Sequence, residues 1–249
     1  MAGSIILFPR FPRAILVALA CVFLSVTASA DTLVVSTSPT DSESTYLMEN
    51  GVDTYTYAGE ADITLDGNIN RTAYCVAIFT DINPGTVYNT TLEDISAVNN
   101  GLRVGWLLDY ESPLIGTSGN GLAGTADQQG AGLQLAIWDI VNDNGDGLSK
   151  GNIQAATTSN TSTGNYTDAV AVTDAGIFEA ASIGKSADAW VYYNTNQTTG
   201  AVAQTLMGYV TFTDGGPTVP EPGTFGVVTL GLVIAGIALR RKHSPARPV

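Results

Sequence analysis

Few residue types in this chain can do chemistry. Its single histidine, His243, stands close to the C terminus. The stretch from residue 31 to 218 therefore has no imidazole, which excludes a Ser-His-Asp or Cys-His catalytic unit and a His-ligated zinc site there. Of the two cysteines, Cys21 lies in an apolar N-terminal run and Cys75 in the body of the chain. Once the run is removed, Cys75 has no partner for an intramolecular disulfide. A free thiol, an intermolecular bridge, special chemistry or a small buried hydrophobe remain open for it. Carboxylates are abundant, so a paired-acid glycosidase is compatible with the composition, but no pair stands out. Asn142-Asp143-Asn144-Gly145-Asp146-Gly147 resembles the start of a calcium loop. Asn142 stands where the first Asp belongs and Ile153 where the bidentate Glu belongs, so an Asx-rich turn ending a helix is expected. No metal or cofactor is expected.

The elements that must position Cys75 are readable from periodicity. Residues 72–80 are apolar on both alternating faces and read as a buried strand, with Asn83-Pro84-Gly85 as a turn after it. Leu133, Ala136, Ile137, Ile140 and Val141 share one helical face, and Gln134 and Trp138 form an i, i+4 pair beside it. The helix is expected over 127–142 with Asp127 as its cap. Further helices are expected over 94–109 and 167–182. Residues 204–212 read as a strand with Gln204 on the face of Leu206, Val210 and Phe212, where a carboxamide is costly unless bonded. Thr, Tyr, Gly and Asn dominate the rest and suit strands and turns.

Tyr74-Cys75-Val76-Ala77, Leu133-Gln134-Leu135-Ala136-Ile137-Trp138 and Ala203-Gln204-Thr205-Leu206-Met207 resemble, in order, the three motifs of bacterial surface thioester domains. Gly105-Trp106-Leu107-Leu108 resembles that family's Trp-Leu-Leu helix. The chain departs from the family at Ala77, where a polar residue is usual, and at Leu133, where Thr is common. The resemblance implies an internal thioester between Cys75 and Gln204, supported by Gln134 and Trp138, with Gln134 as the alternative acyl donor. Sulfur would attack the carboxamide and ammonia would leave. An amine on a partner could then take the acyl group, a single capture without turnover.

The two ends carry addresses. Arg10 and Arg13, the run from Ala14 to Leu24, and Ala28-Ser29-Ala30 read as a signal peptide over 1–30, cleaved between Ala30 and Asp31. Val219-Pro220-Glu221-Pro222 precedes an uncharged stretch from Gly223 to Leu239, then Arg240, Arg241 and Lys242. As a helix that stretch would be about 26 Å long, near the lower limit for a bilayer. The basic cluster would stay cytoplasmic. Motif, span and cluster together resemble the PEP-CTERM sorting signal over 219–249. That implies recognition by an exosortase after export through the secretion machinery, and a surface or matrix destination.

Between the ends, residues 31–218 hold four basic and 22 acidic residues, a formal charge of −18. Such a surface repels nucleic acid and anionic membranes and suits solubility outside the cell. The length fits one extracytoplasmic domain with its own core. The expected fold is mainly β with inserted helices, a β-sandwich or barrel plus a small helical part, followed by a C-terminal transmembrane helix. The expected function is that of an exported, non-enzymatic surface protein. It would be a thioester-bearing adhesion or capture domain, or else a non-covalent component of an exopolysaccharide or biofilm matrix. The partner is a protein amine or a polysaccharide.

Overall fold

The computed structural model describes residues 31–36, 40–67, 69–78, 80–155, 157 and 167–208. Eight strands are present among them: β1 (Asp31–Val35), β2 (Thr40–Glu49), β3 (Val52–Leu65), β4 (Ile69–Cys75), β5 (Val87–Asp94), β6 (Ile153–Ala155), β7 (Trp190–Asn196) and β8 (Leu206–Gly208). All neighbours run antiparallel, in the order β1-β5-β7-β8-β4-β3, and β1 pairs back onto β3. Of the two expected architectures, this is the barrel, six strands closed without an edge. β2 and β6 extend from β3 as a flap.

β3 serves both parts. Its first half pairs with β2 from Val52 to Glu60, and its second half with β1 and β4 from Ala61 to Leu65. The β2–β3 link is Asn50-Gly51, both at positive φ (51° and 82°), as a two-residue hairpin turn requires. The strand bends where β2 slips register between Thr40 and Ser42. There the carbonyl of Asp41 sits 2.4 Å from where a Cβ on Gly59 would be and 2.0 Å from where one on Gly130 would be. Only glycine fits at either position.

Three α-helices are present among the described residues: α1 (Gly101–Trp106), α2 (Ala126–Asp143), which packs on the flap, and α3 (Ala169–Ser182), which packs on α2. α2 starts in a capping box between Thr125 and Gln128. Asp127 lies in the first turn and is not the cap. α3 is capped by Asp168, which accepts from the N–H of Val170 (2.7 Å) and Ala171 (3.3 Å). The helix expected over 94–109 is instead broken. β5 runs to Asp94, a 3-10 turn follows, and α1 begins only after Asn100, which is left-handed at φ 54°. α1 then passes into a π-turn over Leu107–Glu111.

Two cores result. Leu33, Ile63, Leu65, Tyr88, Tyr192 and Leu206 fill the barrel. Leu47, Tyr74, Leu107, Leu133, Ile137, Trp138 and Phe178 fill the space between flap and helices. Cys75 packs against both. The expected signal peptide, the sorting tail and its expected transmembrane helix lie outside the described residues. Among those described, no helix is long and apolar enough to cross a membrane.

Candidate functional site

β4 ends at Cys75, earlier than the strand expected over 72–80, because its partner leaves. The last rung with β3 is Ala61 opposite Ala73, after which β3 bends away into the flap. The peptide unit of Cys75 would then lose its ladder on that side. Gln134 of α2 replaces it. The Cys75 N–H donates to Gln134 Oε1 at 2.7 Å, and Gln134 Nε2 donates to the Cys75 carbonyl at 2.8 Å. Gln134 is fully buried, so both ends of its amide are matched where an unmatched end would be costly. This geometry commits Gln134 to the cysteine backbone and leaves it unsuited as acyl donor.

On the other side of Cys75 stands β8, with Cys75 opposite Leu206 and the N–H of Val76 on the carbonyl of Thr205 at 2.9 Å. Gln204 immediately precedes that pair. It lies just ahead of β8 rather than on its face, and Val210 and Phe212 fall outside the described residues. Its backbone is fixed at both ends: its N–H donates to the carbonyl of Asp81 (3.2 Å), and its carbonyl accepts Nδ2 of buried Asn194 (2.8 Å). The side-chain amide turns toward Cys75. Nε2 donates to the Ala77 carbonyl, two residues past Cys75, and Oε1 is buried with no donor. Cys75 keeps some exposed surface as a residue, but burial of the thiol pushes its pKa up to about 11, against a smaller downward pull from Gln204. A free thiol there would be poorly nucleophilic at neutral pH.

Trp138, one turn beyond Gln134, is buried and its indole N–H has no acceptor. Tyr74 faces the helical core. Its hydroxyl lies 3.3 Å from Glu60 Oε2 and 3.4 Å from Ser112 Oγ, and Thr72 donates to Glu60 Oε1 at 2.9 Å. Burial raises the pKa of Glu60, the Thr72 bond working the other way. Tyr74 and Glu60 line a cleft of about 460 Å³ beside Arg71 and Ser112. The structure thus brings together Cys75, Gln204, Gln134 and their neighbours. Asn194 was missed from sequence, since nothing local to it marks a clamp on Gln204.

Comparison with known proteins identifies the tail. Residues 218–242 match the PEP-CTERM protein-sorting motif. The match includes Pro220, Glu221 and Pro222. It implies export, a membrane-associated intermediate and processing by an exosortase, and so an exosortase-targeted surface protein. No curated protein and no solved structure matches the chain. A PEP-CTERM signal addresses its cargo without describing it, so the chemistry of the domain ahead of it is read from the geometry above.

Proposed function

We propose that residues 31–218 form a covalent capture domain whose reactive group is a thioester between Cys75 Sγ and Gln204 Cδ. The observation that carries this reading is the Gln204 side chain bonded to the backbone just past Cys75 on the adjoining segment, with both backbones pinned and Gln134 holding the cysteine from behind. Forming the bond joins Sγ to Cδ and breaks Cδ–Nε2. The thiol proton leaves with the nitrogen as ammonia. A partner's amine would reverse the sense of the exchange, taking Cδ and returning the proton to sulfur. The apolar residues on both sides of Cys75 would keep water from doing the same. The domain acts once and is not an enzyme. Intact mass tests this: the exported domain should weigh one ammonia less than its sequence, and methylamine should add to Gln204 while freeing Cys75.

A second reading, non-covalent association with a matrix polysaccharide, is supported by the flap. Tyr55 and Tyr57 are 56% and 61% exposed, and Tyr46 stands opposite Tyr55 with ring centroids 5.1 Å apart. Exposed aromatic faces of this kind suit sugar rings. Tyr55→Ala with Tyr57→Ala should abolish sedimentation with exopolysaccharide from the producing cells. Unchanged sedimentation would remove the reading.

A further inference from the structure

Negative charge gathers where α2 ends against α3. Asp139, Asp143 and Asp146 each bring a carboxylate oxygen within 4.8 Å of the other two. Asp139 is fully buried on α2. Glu179 of α3, only 7% exposed, turns its carboxyl onto that of Asp139. Asp139 Oδ2 accepts the N–H of Gly147 at 2.9 Å. Asp139 Oδ1 and Glu179 Oε1 are buried and have no donor. Two such carboxyls in contact require a positive species between or beside them, a proton or a metal cation. The nearby cationic side chains form no direct ion pair with Asp139 or Glu179, although Arg103 attracts both acids through space. Arg103 of α1 donates to Ser182 Oγ, the Asn144 carbonyl and the Glu179 carbonyl, each at 2.7 Å. Lys150 reaches only exposed Asp146, at 3.7 Å.

We propose that Asp139, Asp143 and Asp146, with Glu179 behind Asp139, bind a hard divalent cation of the calcium class. The donor set is entirely carboxylate oxygen, which favours calcium over zinc or copper. The three aspartates follow the end of a helix and its loop, not the twelve-residue register expected of a calcium loop. The mismatches at Asn142 and Ile153 therefore do not bear on this site. Asn142 turns back to the Trp138 carbonyl at 2.8 Å, and the Ile153 N–H serves Asp143 Oδ2 at 2.6 Å. Export places the site where weak calcium affinity suffices, with dissociation constants of about 10⁻⁴ to 10⁻³ M in extracellular modules. The ion would tie the end of α2 to the loop after it, and α2 carries the Gln134 that holds Cys75. The site stands whether or not the thioester forms.

The test is titration of the full exported protein, first freed of metal by a chelator, with CaCl2 and separately with MgCl2. Calorimetry should show one saturable calcium site with a dissociation constant on the order of 10⁻⁴ M, and the unfolding temperature should rise over the same range. Asp146→Asn, an exposed change, should fold and lose both effects. Glu179→Gln supplies Asp139 with an amide donor, so it should stabilise the chelated protein and shrink the gain from calcium. Absence of any calcium heat or thermal shift in the parent would overturn the proposal and leave a shared proton between Asp139 and Glu179. A calcium effect undiminished in Asp146→Asn would also overturn it, by showing ions held diffusely by the acidic surface.

Discussion

The peptide unit of Cys75 is held on one side by the Gln134 side chain rather than by a strand. Cys75, Gln134 and Gln204 were legible from residue type and motif, because a lone exported cysteine and two glutamines in apolar segments are each out of place. Asn194 and the Asp139–Glu179 contact were not, since an asparagine in a strand and acids on helices are ordinary until the tertiary structure sets them face to face. The burial of the thiol makes its own prediction. In Gln204→Ala the sulfur stays free and loses the one contact that lowers its pKa, so the pKa is no lower than about 11, against an ordinary 9.0. At pH 8 the thiolate of the folded variant should be roughly 100-fold scarcer than in the unfolded chain, and iodoacetamide labelling slower in proportion. Labelling should accelerate about tenfold per pH unit until the pH approaches 11. Equal rates with and without denaturant would show that the thiol is not buried.

At the scale of elements, the strands and the long helix followed from their periodicity, while their ends did not. β4 stops at Cys75 because β3 bends away, and the bend depends on Gly59, Gly130 and the carbonyl of Asp41, residues far apart in sequence. α1 starts late because Asn100 takes a left-handed conformation, which a local pattern of apolar residues does not reveal. The packing of α2 on the bulge is directly testable. A Cβ at residue 130 would meet the Asp41 carbonyl at 2.0 Å, so Gly130→Val should destabilise the domain by about 1–3 kcal/mol in urea unfolding. Gly176→Ala, inside α3 with nothing within 4 Å of the added carbon, should instead stabilise by about 0.5–1 kcal/mol. Equal effects of the two changes would contradict the close approach of α2 to β2.

For the whole molecule, composition pointed to a β-rich domain and the two ends to export, and the choice of a barrel over a sandwich rested on one long-range event, the return of β1 onto β3. No pattern within Asp31–Val35 specifies two partners. The charge balance, with four basic residues against 22 acidic ones over residues 31–218, favours solubility, and the PEP-CTERM signal directs sorting. If that signal is cut, protein recovered from the cell surface should lack the segment from Gly223 onward. Full-length chain held stably in the inner membrane of a host with a matching exosortase would contradict this. The proposed capture function rests on one bond, and intact mass spectrometry of the exported domain under denaturing conditions reads that bond directly. The account predicts a mass one ammonia below the sequence value, no titratable thiol, and loss of both features in Cys75→Ala and Gln204→Ala. The full sequence mass, with one thiol titrating as soon as the chain is unfolded, would contradict it.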